Sequence, residues 1–183
     1  MHELPELFKD DPEALKYIEE AVTHARESLS ELGLDDLAYS LLLQTADPSW
    51  LYSVRQGATT IWERWDSYTE ENGIKKGMNS FNHYSLGSCT QWMYEYCLGL
   101  RPDVTGAGLE KVTFAPCFDL SGRITSASGH YDTAWGRITI QWEKKEDVFA
   151  YRVEAPTQIQ CSFVFAGLQT VSESQKGGEY RFV

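Results

Sequence analysis

Ile138-Thr139-Ile140-Gln141-Trp142-Glu143 alternates apolar and polar residues without a break. That period of two marks a strand with one face in a core and the other in water. Lys144 to Asp147 is a charged turn, and Phe149, Tyr151 and Val153 resume the alternation beyond it. Upstream, Val112 and Phe114 alternate with Lys111 and Thr113, and downstream Ile159, Cys161, Phe163 and Phe165 do the same. Six or seven short strands joined by tight turns predict an antiparallel β-sandwich over 101–183.

Before Gly99 the period is helical. Asp11-Pro12-Glu13 reads as a helix start, and Leu15, Ile18, Val22, Ala25, Leu29 and Leu32 follow at steps of three and four. Gly33 is a natural stop, and Asp35 or Asp36 is placed to cap a second helix carrying Leu37, Leu41 and Leu42. So short a link predicts an antiparallel hairpin, ended by Asp47-Pro48. Residues 46–79 keep no period, yet Trp50, Tyr52, Trp62, Trp65 and Tyr68 make them too aromatic for a disordered stretch. Residues 80–98 return to the helical period, with Phe81, Tyr84, Ser88, Trp92 and Tyr96 on one face. Arg101-Pro102 to Gly108 reads as a linker. The predicted class is α+β, with a helical segment over 1–100 and the sandwich over 101–183.

The 183 residues carry a net charge of −11, which argues against nucleic acid and anionic membranes as partners and suits a neutral substrate. No run of 18 apolar residues exists, so no membrane span is expected. Met1-His2-Glu3-Leu4-Pro5 is unlike a signal peptide, and Cys89, Cys97, Cys117 and Cys161 have no metal-binding spacing. Cys89 and Cys97 lie roughly 12 Å apart along a helix axis, too far for a disulfide. Free thiols in a reducing, cytoplasmic compartment are the expectation. His2, His24, His83 and His130 form no metal constellation, so no metal and no cofactor are expected.

Within the aperiodic region, Gly57-Ala58-Thr59-Thr60-Ile61-Trp62-Glu63-Arg64-Trp65-Asp66 sets one carboxylate between two indoles. Met78-Asn79-Ser80-Phe81-Asn82-His83-Tyr84 follows, with amides, an imidazole and aromatic rings. Such groups suit a sugar, which offers apolar C–H faces and hydroxyls that need paired donors and acceptors. Trp62 and Trp65 would limit solvation of Glu63 and raise its pKa, while Arg64 would lower it, a balance that favours a base over an acid. The alternative is a partly solvated loop glutamate whose tryptophans belong to the core. Asn79 and His83 would share a face at i, i+4 if the helix began there, and with Asn82 could bind hydroxyls. The alternative is that Asn79 or Ser80 caps the helix. Glycosidic hydrolysis needs two carboxyl groups; Asp66, Glu70 and Asp132 are weak candidates for the second.

These motifs resemble bacterial α-L-rhamnosidases of glycoside hydrolase family 78. Leu37-Ala38-Tyr39-Ser40-Leu41-Leu42-Leu43-Gln44 and Pro48-Ser49-Trp50-Leu51-Tyr52 are similar to the family's late barrel region. Gly57 to Asp66 with Met78 to Tyr84 resembles its C-terminal signature. Phe114-Ala115-Pro116 and Tyr131-Asp132-Thr133-Ala134-Trp135-Gly136-Arg137-Ile138 resemble its C-terminal sandwich. The resemblance implies the end of an (α/α)₆ toroid and an inverting mechanism. It implies Glu63 as general base and His83 as a contact to rhamnose, with Trp62 and Trp65 as pocket walls and a rhamnose-containing glycoside as substrate. The family's general acid lies far upstream, and nothing here matches it. Gln91 stands where the family commonly has glutamate before Trp92. The reading is therefore a C-terminal piece, inactive or weak by itself, that self-associates or joins the missing barrel half. A non-catalytic carbohydrate-binding or structural module is the alternative.

Overall fold

Gly33 stops the first helix as its sequence demands. Its φ is +73°, its N–H donates to the Ser30 carbonyl at 3.1 Å, and the Leu34 N–H reaches back to the Leu29 carbonyl at 2.7 Å. These are the paired bonds of a Schellman end. The computed structural model describes residues 29–77, 79–103, 108–146, 148–165 and 172–182, with backbone alone over 172–175. The start of that helix at Asp11, its stripe from Leu15 to Ala25, His2, His24 and Met78 lie outside the described residues. The chain divides into two compact units, 1–90 and 91–183.

In the first unit, α1 spans Asp35–Leu43. Its N-cap is Leu34, which has no capping side chain; Asp35 and Asp36 lie inside the first turn, where carboxylates favour the positive helix end. Neither aspartate is the cap expected from sequence. Ala38 and Tyr39 are its buried residues, while Leu37, Leu41 and Leu42 are half-buried. The helix stops at Leu43, with Gln44 extended, four residues before Asp47-Pro48.

The stretch without a period holds structure of its own. Helix α2, Trp50–Arg55, is capped by Ser49, whose Oγ accepts the Tyr52 N–H at 3.0 Å. Strands β1 (Tyr68–Thr69) and β2 (Gly73–Ile74) form a two-stranded antiparallel ribbon. The helix expected from residue 80 starts later. A 3-10 turn at Ser85–Ser88 leads into α3, Cys89–Trp92, and a π-turn at Met93–Cys97. Residues 80–84 are irregular because their backbone pairs elsewhere: the Glu63 N–H donates to the Ser80 carbonyl, and the His83 N–H to the Ile61 carbonyl, each at 2.8 Å. Asn79 and His83 are thus not one helical turn apart.

The core of this unit joins Trp50, Trp65, Leu86 and Cys89, with Ile61 packed against them. The Trp50 and Trp65 rings meet edge to face at 4.8 Å. Trp50 Nε1 donates to the Leu86 carbonyl at 2.7 Å, and Ser53 Oγ donates to the Trp65 carbonyl at 2.8 Å.

The second unit contains β3 (Leu100–Pro102), β4 (Lys111–Phe114), β5 (Ser126–Thr133), β6 (Gly136–Lys145), β7 (Val148–Glu154), β8 (Gln160–Phe163), β9 (Ser172–Lys176) and β10 (Glu179–Phe182). They form two four-stranded sheets, ordered β10-β7-β6-β5 and β3-β4-β8-β9. Every pair is antiparallel except β4 with β8. Ile138, Ile140 and Trp142 are buried as their alternation requires. Strand β3 opens the segment expected to be a linker. Aromatic rings join the sheets: Phe163 of β8 lies 4.8 Å from Tyr180 and 4.7 Å from Phe182 of β10.

Beside the sandwich, Trp142 Nε1 donates to the Cys97 carbonyl at 2.9 Å and Tyr151 OH to the Leu98 carbonyl at 2.7 Å. Gly99 follows with φ +80°, and a Cβ there would lie 2.4 Å from Pro116 N. Asp119 is fully buried. Its carboxylate accepts from the Ser121 N–H and hydroxyl, the Ile124 N–H and Arg123. Burial pushes that carboxyl up, but the hydrogen bonds and the Arg123 charge outweigh it and hold it below the usual carboxylate range. None of the four cysteines is in a disulfide; Cys89, Cys97 and Cys161 are buried, and burial pushes the Cys161 thiol up to about 11. No helix among the described residues is long and apolar enough to cross a membrane.

Candidate active site

Glu63, His83, Trp62, Trp65, Asn79 and Asn82 all lie in the first unit. The two segments that carry them run antiparallel, joined by the Glu63–Ser80 and His83–Ile61 main-chain bonds and by Thr60 Oγ1 donating to the Phe81 carbonyl. One short ribbon thus holds the carboxylate and the imidazole on facing segments. Glu63 and His83 are both half-buried, neither sealed in the core nor free on the surface.

The tryptophans are less open. Trp65 is 3% exposed and sits in the core against Trp50. Its position is set by a tight turn in which fully buried Ser67 bonds the Arg64 backbone through both its N–H and its hydroxyl. Trp62 is also buried, with Tyr68 and Phe81 meeting it edge to face at 6.4 and 5.4 Å. The indoles brace the Glu63 loop from both sides.

Asn79 is a clamp: its Nδ2 donates to the Ser67 carbonyl at 3.0 Å and to the Lys75 carbonyl at 3.3 Å. Its Oδ1 is buried with no partner. Asn82 is exposed, and its N–H donates to Ser80 Oγ at 3.2 Å. His83 is held at Nδ1 by Ser85, through the hydroxyl at 2.9 Å and the backbone N–H at 3.3 Å. Its ring stacks on Tyr84 at 5.2 Å, and Tyr84 is exposed.

The weaker acids have other engagements. Asp66 is ion-paired with Lys75 at 2.5 Å. Glu70 is exposed, and Asp132 on β5 pairs with Arg137 on β6 at 2.7 Å. The Arg137 hydrogen bond holds the Asp132 carboxyl below its usual range. Sequence reasoning missed Asp47. Burial, then the charge of Asp66, push its carboxyl up against the lowering effect of Lys75. Burial and the charges of Asp47, Asp66 and Glu71 push the Tyr52 phenol up in the same way. It also missed Ser85, whose role depends on a turn starting there. Among the described residues no group of three His, Cys, Asp or Glu side chains could hold a metal. Gln91, in place of the glutamate common in the family it resembles, donates to Glu95 at 3.0 Å.

Comparison with known proteins agrees with a helical domain followed by an antiparallel β domain. Residues 21–97 match the bacterial alpha-L-rhamnosidase 6 hairpin glycosidase domain, and residues 99–179 match the bacterial alpha-L-rhamnosidase C-terminal domain. An alpha-L-rhamnosidase of Alteromonas sp. (strain LOR) is 41% identical over 137 residues, 74% of this chain and 14% of that protein. One of Formosa agariphila is 40% identical over 153 residues, 78% of this chain and 16% of that protein. The crystal structure of the Aspergillus terreus enzyme superimposes with a TM-score of 0.74 at 32% identity, over 85% of this chain and 18% of that one. That of Streptomyces avermitilis alpha-L-rhamnosidase complexed with L-rhamnose gives 0.72 at 30%, over 84% and 16%. The chain spans about one-seventh of the length of the curated relatives it matches. Two successive domain matches, these identities and the shared fold place the chain in the bacterial α-L-rhamnosidase family, as a stretch running from the six-hairpin glycosidase domain into the C-terminal domain.

Proposed function

We propose that this chain supplies the general base of an inverting α-L-rhamnosidase, with Glu63 as that base. The observation that carries the reading is the half-buried Glu63 on a backbone ribbon shared with His83. A base must be close enough to solvent to meet its water and fixed enough to aim it. In the proposed step, Glu63 takes a proton from water as the water oxygen attacks the anomeric carbon. The glycosidic bond breaks on the opposite face, and a separate acid protonates the leaving oxygen. His83 contacts the sugar, and Trp62, Trp65 and Asn79 hold the loops that carry these two groups. The substrate class is a terminal α-L-rhamnoside, in keeping with the L-rhamnose bound to the Streptomyces avermitilis relative.

The acid is not among the candidates of this chain, so turnover requires the upstream part of the barrel, supplied by a longer polypeptide or by association. The helical part over 1–100 belongs with that barrel, and 101–183 forms the accessory sandwich. The test is an aryl α-L-rhamnoside assay on the protein carrying the upstream barrel, with the first-formed anomer read by NMR. β-L-rhamnose appearing first, and lost with Glu63→Gln, supports the reading. α-L-rhamnose appearing first, or turnover unaffected by the substitution, rejects it.

A further inference from the structure

Ser85 is the first residue of the 3-10 turn Ser85–Ser88. An N–H at a first helical position has no partner inside its own turn. Here it points back to His83 Nδ1 at 3.3 Å, and the Ser85 hydroxyl lies 2.9 Å from the same nitrogen. A backbone amide can only donate. The atom it meets must therefore carry a lone pair, which makes Nδ1 the unprotonated nitrogen of the neutral ring and places the proton on Nε2. Two other contacts fix the residue. Its N–H donates to the Ile61 carbonyl at 2.8 Å, and its ring lies 13° from parallel with Tyr84 at 5.2 Å. Backbone, ring plane and proton position are all set before any ligand arrives.

We propose that Ser85 is a positioning residue that locks His83 in its Nε2–H tautomer, so that the imidazole meets a sugar oxygen as a hydrogen-bond donor. The sugar half of this statement rests on the rhamnosidase reading; the tautomer half does not. A ring of the opposite tautomer would offer a lone pair instead and would turn its Nδ1–H against the Ser85 N–H. The site then discriminates by polarity: it accepts a ligand oxygen with a free lone pair at that point and disfavours an analogue lacking that oxygen.

The test is long-range proton–nitrogen NMR of the protein carrying the upstream barrel at a pH where the ring is neutral, followed by titration with L-rhamnose. The expected result is a pyridine-like Nδ1 and a pyrrole-like Nε2 for His83, with L-rhamnose shifting Nε2. Ser85→Ala, which removes one neutral hydrogen bond, should weaken L-rhamnose binding about twofold to tenfold, and Ser85→Thr should restore it. A pyrrole-like or averaged Nδ1 overturns the Ser85 assignment even if L-rhamnose still moves Nε2. A locked tautomer whose Nε2 stays unmoved while L-rhamnose binds elsewhere in the protein overturns the positioning role alone, and no L-rhamnose binding at all overturns the rhamnose reading while leaving the tautomer half standing. Undiminished binding in Ser85→Ala overturns the part of the Ser85 hydroxyl, because the backbone N–H that meets Nδ1 survives that substitution.

Discussion

The Glu63 N–H donates to the carbonyl of Ser80 at 2.8 Å, so the backbone of the proposed base is fastened to the segment that carries His83. The ribbon is held by main-chain groups and the Thr60 hydroxyl rather than by the Glu63 carboxylate, which separates the chemistry of that group from the stability of the loop. Glu63→Gln should therefore lower turnover of an active preparation by about 10²–10⁴-fold, the range of a positioned general base. Its unfolding free energy should stay within about 0.5 kcal/mol of wild type, as for a substitution outside the core. Loss of turnover with parallel unfolding would assign Glu63 to structure instead.

Trp50 and Trp65 form one edge-to-face pair but differ in their polar atoms. Trp50 Nε1 donates to Leu86, whereas Trp65 Nε1 is buried with no partner. Trp65→Ala should cost about 3–5 kcal/mol of stability in the first unit. Trp65→Phe should cost less than Trp50→Phe, because only the latter orphans a carbonyl. Urea melts of wild type and the three variants check the order, and equal costs for the two phenylalanine variants would contradict it.

Gly99 combines a left-handed φ of +80° with backbone 2.4 Å from where an alanine methyl would sit. Gly99→Ala should cost about 2–5 kcal/mol, the sum of strain and overpacking. Gly122 is a control with a similar φ of +73°, but its nearest contact is the flexible Lys144 Nζ at 3.4 Å. Gly122→Ala should cost only the strain. Thermal melts that rank the two variants equally would reject the close approach.

Asp119 gives the second unit an acid limb. Its folded pKa lies below the unfolded value of about 3.9, so its contribution is whole above that pH. The contribution declines as pH falls below the unfolded value and is gone below the folded one. Urea denaturation of wild type and Asp119→Asn across this range should show the difference between them shrinking as the solution is acidified. A constant difference would exclude the linkage.

The sandwich was legible wherever one strand face is uniformly apolar, as in Ile138, Ile140 and Trp142. Strand β5 escaped because its inner positions include Ala127 and Gly129, residues too small to mark a face. The structure gives the reason: a Cβ at Gly129 would lie 2.5 Å from Leu98 Cδ1. The parallel pairing of β4 with β8 was also hidden, since it joins Val112 to Cys161 across a register that local alternation does not encode. In the first unit, aromatic residues at helical spacing suggested a helix from 80, but Ser80 and His83 give their backbone groups to Glu63 and Ile61. Glu63 and His83 are candidates through the resemblance of their motifs to the family, and the Ser85 contact to His83 escaped because hydrogen bonding across two residues has no sequence signature there.

The carbonyls of Cys97 and Leu98 are claimed by Trp142 and Tyr151, 45 and 53 residues further along. During synthesis, the end of the helical segment would leave the ribosome well before the two side chains that complete it. That terminus should stay exchange-labile on nascent chains stopped short of Trp142 and become protected once Tyr151 has emerged, tying the last helical turn to the timing of the sheet.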